Sequence, residues 1–110
     1  MAVRELQKAE WQKYFSHMPA GGCYEEFQLE VISPQIGAQV DADWEPFKDM
    51  RYDPSNDEIE ITSAKVGHFI RHPKAVHVDT TPVGAEIVEV IDGDQTKFVI
   101  SLRPAKQLER

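Results

Sequence analysis

The chain has 110 residues, with 12 Lys and Arg against 19 Asp and Glu, so it carries a net charge of −7. That length and a 41% apolar content suit one globular domain held by its own core, and exclude both a disordered chain and a pair of domains. The acid is concentrated. Residues 21–64 hold 11 acidic and 2 basic side chains, and no basic cluster exceeds two residues. Binding to nucleic acid or to an anionic membrane surface is therefore not expected, because both need a cationic footprint. Apolar runs are only a few residues long, so neither a transmembrane helix nor a signal-peptide core is expected. Cys23 is the single cysteine. It cannot pair internally and reads as a small apolar residue, which suits a reducing cytoplasmic setting.

In chain order, residues 8–18 read as a short helix. Trp11, Tyr14, Phe15 and Met18 fall on one stripe, and Pro19 with Gly21-Gly22 ends it. From residue 24 the period becomes two. Phe27, Leu29 and Val31 alternate with Glu26, Gln28 and Glu30, then Ile36, Ala38, Val40 and Ala42 repeat the pattern. A turn at Ser33-Pro34 makes these runs a hairpin, with Gly37 available for a bulge. Trp44 and Pro46 interrupt the alternation, which resumes weakly through Met50 and Tyr52. The segment DPSND, residues 53–57, is a strong turn. It leads into a strand in which Ile59 and Ile61 face one way. VGHFIRHP reads as a short turn anchored by Val66, Phe69 and Ile70. Residues 74–80 form a strand through Val76 and Val78, leaving His77 on the wet side. Pro82 and Gly84 turn the chain into two closing strands. These are joined at Asp92-Gly93, where glycine would accept positive φ, and the tail 104–110 is polar. The predicted fold is α+β: a short helix packed on a mainly antiparallel sheet of six to seven short strands across 24–103. A small β-barrel with an N-terminal helix is the alternative.

Two groups of residues could carry chemistry. The first is His68, Arg71 and His72, three hydrogen-bonding side chains beside a sharp turn, offering a site for a polar ligand or a partner. His68 and His72 would share a face on a helical turn, but nothing in the spacing supplies further ligands, so no metal is expected. A structural role is the competing reading. Arg71 would pair with a strand carboxylate, and His72, preceding Pro73, would be extended and bond across the turn. The second group is the acidic set Asp41, Asp43 and Glu45, which alternate spacing places on one face. It reads as a solvated face, a weak cation site or a docking patch for a basic partner. There is no nucleophile elbow, phosphate-binding loop or dinucleotide fingerprint, and no cofactor is expected.

The segments EWQKYF, IGAQVDA, MRYDPSNDEIEI and GHFIRHPKAVHVD, in this order, resemble a family of small bacterial proteins of unknown function. The matching residues are Glu10, Trp11, Tyr52, Asp53, Pro54, Asp57, His68, Ile70, His72 and Pro73. The chain departs at Ala64-Lys65-Val66, where relatives are expected to be richer in glycine. The resemblance implies a stand-alone bacterial cytoplasmic domain and brings no reaction or catalytic residue with it. The leading expectation is a non-enzymatic binding or regulatory module acting through protein–protein contact or self-association. The alternative is a ligand-binding protein or enzyme using His68, Arg71 and His72.

Overall fold

Alternating apolar residues turn most of this chain into strands with one dry face. In the computed structural model, which describes residues 2–20, 24–63, 67–80 and 86–104, these strands build one eight-stranded sheet. The elements run β1 (Ala2–Leu6), α1 (Lys8–Ala20), β2 (Tyr24–Ser33), β3 (Gly37–Asp53), β4 (Glu58–Ser63), β5 (Gly67–Arg71), β6 (Pro73–Thr80), β7 (Glu86–Asp92) and β8 (Lys97–Pro104). The sheet order is β1-β6-β7-β8-β2-β3-β4-β5, and every pairing is antiparallel. Expectations at Cys23, at Ala64–Val66, at the Pro82–Gly84 turn and in the tail beyond 104 fall outside the described residues.

The inner face is apolar by the strand period. Phe27, Leu29, Met50, Ile59, Ile61, Ile70, Val76, Val88, Val90, Ile100 and Leu102 are all buried there. Helix α1 covers part of this face, packing chiefly on β3 and touching β6. Trp11 and Phe15 are its buried anchors. The Trp11 ring meets Tyr52 edge-on at 5.2 Å, and its Nε1 donates to the Leu6 carbonyl at 3.2 Å. At the helix start the Glu10 carboxylate accepts from the Gln7 amide at 2.9 Å, half of a capping box.

β5 and β6 stand far apart in the sheet order, yet only His72 separates them in sequence. The sheet must therefore curl until the end of β5 meets the start of β6. It does not close into the alternative barrel: β1 and β5 remain edges among the described residues.

Several expectations are corrected. Seven strands, β2–β8, follow the helix, as expected; among the described residues an eighth, β1, precedes it, and GHFIR forms strand β5 rather than a turn. The helix runs on to Ala20, past Pro19. Gly37, at φ 78°, closes the β2–β3 turn instead of forming a bulge. Trp44 and Pro46 do not end the strand. β3 continues through them by absorbing extra residues as bulges, with Trp44 in the left-handed region at φ 53°. His72 is also left-handed, at φ 55°, rather than extended. At the β7–β8 turn the positive φ falls on Gln95, not on Gly93. There the Asp92 carboxylate accepts from the Asp94 and Thr96 amides, fixing a turn whose left-handed residue comes later.

Candidate functional site

Three connections converge at one end of the sheet. The His72 amide donates to the Asp57 carbonyl at 2.9 Å, and its own carbonyl accepts from the Gly93 amide at 3.1 Å. One backbone residue thus ties the β3–β4 turn to the β7–β8 turn. Between β5 and the β7–β8 turn lies a surface cleft of about 890 Å³, lined by Phe69, Arg71, His72, Lys74, Asp94 and Phe98 among others.

Side chains reinforce this corner. Asp57, left-handed at φ 54°, accepts from the Tyr52 hydroxyl at 2.8 Å. It also stands 3.5 Å from His72 Nδ1 and 3.6 Å from Lys8 Nζ. The Tyr52 bond holds the Asp57 carboxyl below the usual carboxylate range against the opposing effect of burial, and Lys8 adds to it. Burial, with the bond to Asp57 second, pushes the Tyr52 phenol up from 10.0 to about 12. In the turn itself, the Ser55 hydroxyl holds Asp53 low. The residues of the YDPSND motif and of His72 thus form one bonded unit beside the helix start. This unit was not visible in sequence, because the bond between positions 57 and 72 is non-local.

The raised phenol has a testable consequence. A group whose folded pKa lies above its unfolded value stabilises the fold fully below pH 10, and that contribution is lost as pH rises through about 12. Ultraviolet titration of the protein against Tyr52→Phe is expected to isolate one phenol that ionises only near pH 12. Ionisation of that phenol near 10 would contradict the bond to Asp57.

The predicted trio is divided between two faces. Along β5 the side chains alternate, so His68 and Ile70 point inward while Phe69 and Arg71 point outward. The His68 ring packs edge-on against Phe27 at 5.9 Å, and its Nε2 is enclosed without a hydrogen-bond partner. Arg71 is exposed and loosely paired with Glu58 at 3.5 Å. Arg71 and His72 border the same cleft, and His68 does not line it. His77 lies on the outer face, 4.0 Å from Glu5.

The acidic trio is also split. The β3 bulges break the alternation that would align it. Asp41 and Asp43 are exposed, and Asp43 accepts from Gln28 Nε2 at 3.0 Å. Glu45 pairs in register with Phe27 on the inner face, and its Oε1 is enclosed. Among the described residues, no group of three or more His, Cys, Asp or Glu could hold a metal ion. No helix among them is long and apolar enough to cross a membrane.

What sequence reasoning missed is the edge. Among the described residues β5 ends the sheet with one side unpaired, and Phe69 stands on it 49% exposed. The outer rows beside it are charged. Glu60 sits opposite Phe69 and is held by Arg51, whose Nε and Nη2 both lie 3.0 Å from Oε1. The other Glu60 oxygen, Oε2, lies 3.5 Å from the point where a Cβ on Gly67 would stand. The Phe69 ring leans over the same point, at 3.5 and 3.8 Å, so Gly67 sits between a carboxylate oxygen and an aromatic ring.

Comparison with known proteins gives relatives without an assigned activity. The chain is 33% identical over 106 residues to an uncharacterized protein of Aquifex aeolicus (strain VF5), covering 96% of each chain. No solved structure matches it. Residues 2–110 match the model of a family of unknown function, DUF5335. The chain belongs to the DUF5335 family.

Proposed function

We propose that this domain is a non-enzymatic binding or regulatory module acting through protein–protein contact, with β5 as the strand that an extended partner segment lengthens. The single observation that carries this reading is a strand edge that no described residue pairs with, bearing a half-exposed phenylalanine. Protein edges are ordinarily blunted by charge or cover. The other edge, β1, exposes Val3 but sets the adjacent exposed charges Arg4 and Glu5 directly after it. β5 carries an aromatic ring at its centre instead. The adjoining cleft offers a partner both apolar contact at Phe69 and Phe98 and charge at Arg71, Lys74 and Asp94. The one cysteine and the acidic surface suit a cytoplasmic setting.

A small ligand in the same cleft is the second reading, favoured by Arg71, His72 and Lys74 on its wall. It is the weaker one. Arg71 already faces Glu58, His72 faces Asp57, and Asp92 and Asp94 share the lining. A photo-crosslinking amino acid placed at position 69, and separately at exposed Val40, separates the readings. Crosslinks to polypeptide concentrated at 69, and abolished by adding Arg71→Glu, are the expected result. Equal yields at both positions would remove β5 from the account.

A further inference from the structure

We propose that the segment accepted by β5 is β5 of a second copy of this chain, paired antiparallel about a two-fold axis through Phe69. This rests on the reading of β5 as a binding edge and names its occupant.

The argument starts from what a two-fold strand pair permits. Residues directly opposite one another share a face, so inner side chains must meet inner side chains. A symmetric pair that respects this must be centred on a residue. Phe69 is the middle of the five residues of β5, so centring there pairs the whole strand. Three consequences follow from the known rows. On the outer face the two Phe69 rings come opposite each other, an aromatic cross-strand pair covering the large apolar side chain that the edge leaves exposed. On the inner face His68 comes opposite Ile70, each already turned that way. Finally, Arg71 of each copy comes opposite Gly67 of the other. Gly67 has no side chain of its own, and the point where its Cβ would stand is flanked by Glu60 Oε2 at 3.5 Å and by the Phe69 ring at 3.5 and 3.8 Å, so the arginine reaches the carboxylate alongside that ring. Arg51 occupies Oε1, so Oε2 is the oxygen turned toward the newcomer. Arg71 is free to swing there, since its own contact with Glu58 is long and exposed. The two-fold makes this ion pair twice.

The same construction rejects β1. Centred on its middle residue it sets Arg4 against Arg4, and one residue on it sets Glu5 against Glu5. The charge complementarity is a property of β5 and its neighbours alone.

Five paired residues and one ring pair make a small interface, so the dimer belongs to the weak class, with a dissociation constant on the order of 10–100 μM. The test is sedimentation equilibrium of the full chain from about 5 to 300 μM, spanning that range. The wild type is expected to shift from monomer to dimer. Glu60→Lys and Arg71→Glu are each expected to weaken the dimer by at least about tenfold, because each sets like charges opposite one another twice. Mixed one to one, the two variants are expected to restore the dimer as a heterodimer, since one ion pair then forms in the native sense, Arg71 to Glu60, and the other with its charges exchanged. That recovery also shows that each variant is folded. A wild type monomeric throughout would overturn self-pairing, while position-specific crosslinks at 69 to another polypeptide would leave the binding-edge reading standing. A dimer indifferent to both variants, or variants that fail to complement, would overturn the register.

Discussion

Trp11→Ala is expected to cost about 3–5 kcal/mol, the usual range for a large aromatic removed from a core. The side chain is 1% exposed. It does three jobs at once: it fills the space between α1 and β3, meets Tyr52 edge-on at 5.2 Å, and ties the helix to the end of β1 through the bond to Leu6. A domain of this size has only about 5–15 kcal/mol of net stability. The thermal midpoint should therefore fall by more than about 10 °C. Trp11→Phe keeps most of the volume and loses the indole donor, leaving the Leu6 carbonyl one bond short, which costs about 1–2 kcal/mol. The pair is measured by urea unfolding. A loss below about 1 kcal/mol for the alanine variant would mean that the helix is not docked on the sheet in solution.

Asp57 carries the second large effect. Asp57→Ala orphans the Tyr52 hydroxyl, worth about 1–3 kcal/mol for a donor screened from water. It also places alanine at φ 54°, where a Cβ without a local hydrogen bond costs about 1–2 kcal/mol. The ion pairs with His72 and Lys8 are exposed and add little. Asp57→Asn tolerates the left-handed backbone and keeps an acceptor for Tyr52, so it should cost much less. What it removes is a titration. A carboxyl held low in the folded state contributes stability that is present above its unfolded pKa and is lost as pH falls through the folded one. Urea unfolding from pH 6 down through the carboxylate range should show a flatter acid limb for Asp57→Asn than for wild type. Identical limbs would remove Asp57 from the acid response.

Most of this architecture could be read from strict alternation. Phe27 and Leu29 in one strand, and Ile59 and Ile61 in another, pointed inward as the period required. The YDPSND turn was equally legible, because aspartate, proline and asparagine act locally. The failures share a physical cause: at each of them a long-range pairing overrides the local pattern. β1 has too few apolar residues to announce itself, and it exists because β6 pairs with it. In β5 the aromatic Phe69 faces out and the polar His68 faces in, the reverse of the usual pattern, so the strand read as a turn. Residues 68 and 71 are an odd number of positions apart. They would be neighbours on a helical turn, but the extended backbone sends them to opposite faces. Asp41, Asp43 and Glu45 were aligned by a period that the β3 bulges break.

The most direct test of β5 as a binding edge is amide hydrogen exchange of the full chain, read by mass spectrometry at about 5 and 300 μM. The expected result is rapid exchange of the outward-facing amides within residues 67–71 in the dilute sample and marked protection in the concentrated one, with residues 2–6 unchanged. Equal exchange in β5 at both concentrations, or protection that develops at β1 instead, would contradict the self-paired edge.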